Sequence, residues 1–227
     1  TETYPALVPL VLDSAFFHAA VTGIAHEAEL STFADGKLID RRRGNLLWTH
    51  FGISGPVVMD ASRHWTVNKG MGRRVEMRCN LLPGETFEWL ESRLMDWSSS
   101  RANQTLGRTL EGWFPERLAQ ALLRHTQIDP ELRLTQLPRE QRRRLIHSLV
   151  ALPLPVLQDR GWNYAEVTAG GVPLNEIDYR TMQSRKAPNL YLIGEILDCD
   201  GRIGGFNFQW AWATGYLAGR AAGLSVG

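Results

Sequence analysis

Glycines and carboxylates crowd one short stretch near the C-terminal end of the chain: Gly194-Glu195, then Asp198, Asp200-Gly201 and Gly204-Gly205-Phe206-Asn207. Residue types at this spacing suit the binding of anions and hydroxyls. Gly204 and Gly205 have no Cβ to hold a ligand away, and they open a helical pattern whose first amides lack partners within the helix. Such a terminus favours negative charge by about 0.3–1 kcal/mol at a surface, and by about 2 kcal/mol when partly buried. Glu195 closes the apolar run Leu190-Tyr191-Leu192-Ile193. An acidic residue there can accept from ligand hydroxyls, as acidic residues do with ribose in dinucleotide folds. A plain connection with a glycine-rich turn is the competing reading, and spacing alone leaves it open.

The elements around this stretch would have to position it. Residues 190–193 read as a short buried strand. In the following helix Ala211, Gly215, Ala218, Gly219 and Ala222 share one face, so the helix could lie close to a sheet. Upstream, AEVTAGG (165–171) reads as a strand and glycine turn holding Thr168, Gly170 and Gly171. Strand, glycine loop and helix together bring backbone amides to a bound anion. The complementary half of such a site is an opening strand with G-x-G-x-x-G. This chain opens TETYPALVPLVLDSAFF, with no initiator Met and no glycine fingerprint, and reads as part of a longer polypeptide.

The remainder is mixed. Residues 6–12 suggest one strand, with Pro9 arguing against a central position. Alternation over 22–33, a turn at Asp35-Gly36 and a short return over Lys37–Asp40 suggest a hairpin. Residues 73–82 alternate strictly, putting Cys79 on the buried face as inert core. Gly55-Pro56 opens a helix for which Ser54 is the expected N-cap. Further helices are expected over 85–97 and after Pro115 and Pro138. Residues 5–160 are thus β-then-α without βαβ alternation or a repeat. A boundary near 160–165 divides the chain into 1–164 and 165–227.

Composition excludes several classes. The 227 residues carry a net charge of +1, so no bulk attraction to nucleic acid or anionic membrane is implied. No apolar run approaches the ~20 residues of a membrane span, and the first residues lack signal-peptide order. Two cysteines give neither a disulfide framework nor a zinc pattern, which makes a reducing cytoplasm the default. The six histidines show no metal-ligand spacing. Arg41-Arg42-Arg43 and Arg142-Arg143-Arg144 read as solvated faces, and a nucleic-acid role for them would require steep salt dependence. The eight tryptophans read mostly as core.

GEILDCDGRIGGFNFQWAWATGYLAGRAAG (194–223) resembles the C-terminal flavin-binding stretch of the BaiN/YhiN-type bacterial flavoproteins, NAD(P)/FAD-dependent oxidoreductases also called aminoacetone-oxidase-like. The segment 165–195, the internal WTHFGISGPVVMDASR (48–63) and the opening PALVPL (5–10) resemble the same family, so the likeness covers nearly the whole chain. It implies an FAD domain of the two-dinucleotide-binding type interrupted by an inserted domain. Residues 1–164 would be the insertion, and 165–227 the returning flavin segment. It further implies that Glu195 meets the ribityl chain, with Gly194 beside it among the cofactor-binding residues. Asp200 and Gly201 would approach the pyrophosphate–ribityl region. Gly204, Gly205, Phe206 and Asn207 would meet the N1–C2=O edge of the isoalloxazine, with Thr168, Gly170 and Gly171 near the ring.

The reading is therefore an α+β or α/β chain: a β-rich inserted domain with helices, plus the strand–loop–helix end of an FAD domain. Its function is a share of an FAD-dependent oxidoreductase, with NAD(P)H as a candidate donor. The partners are FAD, a small-molecule substrate and the N-terminal FAD-binding half of the same protein, with no nucleic acid and no membrane. Without that half the chain is expected to retain little FAD and little activity. A non-catalytic capping or partner-binding module is the alternative. No catalytic acid or base is legible.

Overall fold

The computed structural model of the chain describes residues 1–224; residues 225–227, the end of the segment assigned as 165–227, lie outside the described residues. The opening apolar run makes two strands rather than one. Tyr4–Ala6 (β1) and Leu10–Leu12 (β2) belong to different sheets. Leu7 between them turns the chain with φ +47, and Pro9 has no N–H with which to continue a ladder.

Ala25–Ala34 (β3) and Lys37–Thr49 (β4) form the hairpin announced by Asp35-Gly36, both turn residues having positive φ, +50 and +77. β4 is much longer than the expected return, so it carries the arginine triplet on a strand. Arg41 and Arg43 project outward beside Glu29 and Glu27. Arg42 faces the other way, its side chain only 20% exposed, and donates to Asp40. The solvated reading thus fails for Arg42. It fails also for Arg142, which is 21% exposed and 3.7 Å from Glu91.

Gly52–Ser54 (β5), Val75–Asn80 (β6), Leu152–Leu154 (β7) and Val156–Asp159 (β8) complete an antiparallel sheet in the order β7-β6-β3-β4-β5-β2-β8. The two edge strands, β7 and β8, are separated in the chain by Pro155 alone. The backbone thus passes from one edge to the other across a single residue, and the sheet curls into a barrel. Leu10, Ala28, Leu30, Leu46, Trp48, Ile53 and Cys79 are fully buried in it. Burial pushes the Cys79 thiol far up, so it stays protonated as inert core. Only Trp48 and Trp65 among the tryptophans are buried, whereas Trp89, Trp162 and Trp212 are exposed. Trp97, Trp113 and Trp210 pack half-buried against the cores, so most of the tryptophans do serve packing and only the three exposed ones do not.

Helix Pro56–Gly70 (α1) begins where Gly55-Pro56 placed it and lies against β3 and β4. Its N-cap is Gly55, not Ser54, whose hydroxyl reaches only the Met59 sulfur at 3.9 Å. Gly55 has φ +92, and a Cβ there would stand 2.8 Å from the Asn45 carbonyl oxygen. The helical layer comprises Phe87–Ser100 (α2), Leu106–Glu111 (α3), Glu116–His125 (α4) and Arg139–Val150 (α5). Thr86 and Thr105 cap α2 and α3 with their hydroxyls. Leu90, Leu94, Leu118, Leu122 and Leu145 pack this layer into the core that also fills the barrel.

Beyond the barrel the chain returns alongside its own start. Val167–Ala169 (β9) pairs antiparallel with β1, and Ala6, Leu7, Met59, Val167 and Ala169 form a small core at this junction. A short hairpin follows, Ile177–Asp178 (β10) with Gln183–Ser184 (β11), and then helix Phe206–Leu224 (α6). The expected strand over 190–193 is absent. Tyr191 makes one isolated bridge to Gln183, while Leu190 and Ile193 are 44% and 43% exposed. The Ser184 N–H donates to the Leu190 carbonyl at 2.7 Å and the Leu192 N–H to the Met182 carbonyl at 3.0 Å, so the run meets a neighbouring backbone over too few residues to build a ladder. Of the small-residue face of α6 only Ala218 is buried. Among the described residues no helix is long and apolar enough to cross a membrane.

Candidate functional site

A cavity of about 510 Å³ lies between the β1–β9 junction, the loops before α6 and the start of that helix. Leu7, Glu166 and Val167 line it from the junction; Glu195, Cys199, Arg202 and Ile203 line it from the loops. Gly204, Gly205, Asn207, Phe208, Trp210 and Ala211 line it from the start of α6. It is mostly apolar with a few charged groups, the usual make-up of a small-molecule or cofactor site.

Glu195 borders the cavity from a short helical turn rather than from the end of a strand, and its Oε1 accepts from the Thr168 N–H at 2.7 Å. Gly204 and Gly205 form one wall with φ +119 and +89. Their amides take no partner among the described residues, and nothing lies within 4 Å of where a Gly205 Cβ would be. Asn207 also borders the cavity, but its side-chain amide is occupied: Oδ1 accepts from the Gly201 N–H at 2.8 Å, and Nδ2 donates to the Gly201 carbonyl at 3.1 Å.

Other residues assigned to the site do something else. Asp200 does not face the cavity. Its side chain is 3% exposed and takes two hydrogen bonds from Arg63 of α1, at 2.6 and 2.8 Å. Gly201 has both backbone groups tied to Asn207. Gly194 donates to the Thr214 hydroxyl at 2.9 Å and accepts from the Trp210 indole at 3.1 Å, which holds the turn on α6. Gly170 and Gly171 are close-packing glycines. A Cβ at 170 would overlap the Glu2 carbonyl oxygen, and one at 171 would stand 2.5 Å from that of Ile196. Phe206 is 55% exposed, with the Arg202 guanidinium over its ring. Thr168 contributes its backbone to the β1–β9 ladder and its N–H to Glu195.

Residues that the glycine pattern alone did not single out complete the site. Cys199 lines it, its thiol pushed up by burial and then by the Asp200 and Asp198 carboxylates, so it remains protonated. Arg202 brings a guanidinium. Asp60 and Arg63 hold the loop from behind, and their i, i+3 spacing in the 48–63 stretch was the signal that could have found them.

Taken together, the cavity can hold a flat group with an electron-rich edge. Gly204 and Gly205, whose amides take no partner among the described residues, form one wall, the Glu195 carboxylate borders the cavity, and Phe208 and Trp210 supply aromatic walls. That fits an isoalloxazine, as far as the described residues define the cavity.

A β-barrel coupled to a helical layer, with a glycine-loop cavity at its junction, defines the class to which this chain belongs. It is a member of the HI0933-like family, whose model, described as the HI0933-like protein barrel and H2TH domain, matches residues 4–167. Among its curated relatives is the ribosomal RNA dihydrouridine synthase of Escherichia coli K12, 40% identical over 174 residues, 77% of this chain and 41% of that protein. The 3-dehydro-bile acid delta(4,6)-reductase of Clostridium scindens is 34% identical over 220 residues, 96% of this chain and 53% of that protein. The ribosomal RNA dihydrouridine synthase of Haemophilus influenzae is 29% identical over 92% of this chain and 48% of its own length. The chain spans about half the length of the curated relatives it matches.

Proposed function

We propose that this chain contributes the barrel domain and the isoalloxazine–ribityl side of the site of an FAD-dependent oxidoreductase. The observation that carries the reading is the pair of unpartnered amides at Gly204 and Gly205, which open α6 onto the cavity. Bound FAD would supply hydride transfer. The chain's own part is to orient and to stabilise charge. The amides and the α6 terminus would favour the negative charge near N1 of a reduced ring, Glu195 would accept from ribityl hydroxyls, and Phe208 and Trp210 would exclude water. Residues 1–164 would be the inserted domain and 165–227 the returning flavin segment, completed by an ADP-binding half elsewhere in the same protein. The β1–β9 pairing supports that arrangement, because it sets the two crossings between the domains side by side.

The relatives' names suggest the reaction. A dihydrouridine synthase and a delta(4,6)-reductase each saturate a carbon–carbon double bond conjugated to a carbonyl, so we infer the same reaction type here. The identity to two ribosomal RNA enzymes favours uridine in ribosomal RNA as the substrate. That departs from the small-molecule, no-nucleic-acid expectation. The bile-acid relative, aligned over 96% of this chain, and the apolar cavity walls support a small conjugated ketone as the second reading. The test is to load the full-length protein with FAD and offer unmodified ribosomal RNA and a 3-oxo-Δ4 steroid, each with NADH or NADPH. Dihydrouridine detected by mass spectrometry supports the first substrate, and loss of the enone absorbance supports the second. Absence of FAD binding would refute the whole reading.

A further inference from the structure

The glycine loop is fastened to the barrel rather than to its own segment alone. Asp60 and Arg63 lie one helical turn apart on α1. Arg63 grips the nearly buried Asp200 carboxylate with two hydrogen bonds, at 2.6 and 2.8 Å. Asp60 Oδ1 accepts from the Ile203 N–H at 2.7 Å, from a residue 143 positions away. Between these two anchors Asn207 closes on Gly201 from the α6 side. Asp60 is itself steadied by Arg42 of β4, whose guanidinium lies 3.9 Å from its other oxygen. Residues 200, 201 and 203 are all pinned, and Gly204 and Gly205 follow directly. A bidentate guanidinium–carboxylate pair fixes direction as well as distance, and a backbone amide bound by a carboxylate fixes the peptide plane.

We propose that Asp60 and Arg63 are positioning residues. They set where the Gly204 and Gly205 amides stand against the flavin, so the barrel domain governs the electronics of a ring it does not itself enclose. This rests on the flavin reading above.

The test uses the full-length protein with FAD bound and the variants Arg63→Ala, Asp60→Ala and Asp60→Asn. Backbone hydrogen exchange over residues 200–205 reads the fastening without reference to flavin. The reduction midpoint and visible spectrum read the positioning, and the thermal midpoint reads general damage. Arg63→Ala and Asp60→Ala should raise exchange at Ile203 about tenfold or more and lower the flavin midpoint, with little change in thermal midpoint. Asp60→Asn keeps an oxygen for the Ile203 amide and should restore both readouts towards wild type. Unchanged exchange in the alanine variants overturns the fastening. Raised exchange with an unchanged midpoint and spectrum overturns the positioning role and leaves a merely structural tie. Wild-type protein without affinity for FAD overturns the flavin reading and the positioning role with it, while exchange still decides whether the loop is fastened.

Discussion

Valine at Gly205 isolates backbone conformation from crowding. The position has φ +89, and nothing lies within 4 Å of the place a Cβ would take, so the substitution meets no steric obstacle there. The cost is conformational. An L-residue in the left-handed region costs roughly 1–2 kcal/mol, and a strained β-branched residue approaches about 3 kcal/mol. Two responses are open to the loop. If it keeps its shape, the strain lowers stability; if it relaxes towards negative φ, the Gly204 and Gly205 amides leave the cavity wall. The fastening at Asp200, Gly201 and Ile203 fixes the loop only up to residue 203, so the relaxation falls on the two glycines and on the start of α6. A cost of roughly 2–3 kcal/mol drawn from binding weakens FAD affinity about 30- to 150-fold, since 1.4 kcal/mol is a factor of ten. Losing about 1 kcal/mol of preference for the reduced ring lowers a two-electron midpoint by about 20 mV. The assays are fluorescence titration of FAD into the full-length apoprotein and spectroelectrochemical titration of the loaded protein. Arg144→Ala is the control, because Arg144 is exposed and distant, whereas Arg142 is half-buried beside Glu91. Wild-type affinity and midpoint in Gly205→Val would refute the reasoning and reduce the glycine loop to a connection.

Two further outcomes follow from the packing. Gly170→Ala drives a Cβ into the Glu2 carbonyl at a residue with φ +93, so urea unfolding should show a loss of about 1–3 kcal/mol; an unchanged midpoint would mean that the β1–β9 junction yields freely. Burial holds the imidazoles of His26 and His64 below their ordinary value, so the folded state binds fewer protons than the unfolded chain. Their contribution is complete above about pH 6.5 and is lost as pH falls below it, by up to about 1.4 kcal/mol per unit for each group. Urea midpoints that stay level from pH 7.5 to 5 would contradict this.

Much of the barrel domain was legible because its signals are local. The Asp35-Gly36 turn, the alternation through Cys79 and the openings at Pro56, Pro115 and Pro138 each specify an element within a few residues. What failed there failed for want of context. The run 6–12 splits because Leu7 and Pro9 send its two ends to different partners. Arg42 and Arg142 look like their neighbours in sequence, and only the facing element decides which arginine of a triplet is covered. The run 190–193 has strand composition, but it meets the backbone of 182–184 over too short a stretch to build a ladder.

The candidate site divides in the same way. The sequence by itself determined the chemistry available: bare backbone at Gly204-Gly205, a carboxylate at Glu195 and a helix to follow, because residue type and short spacing suffice to specify unfilled amides at a helix start. Only the tertiary structure decided which of these residues face the cavity. Gly170 and Gly171 are glycines because backbone passes over them, and Asp200 is acidic because Arg63 stands beneath it. Those reasons involve partners from 25 to 168 residues away. Such distances are set by how the barrel folds back on the returning segment, and no local pattern encodes them.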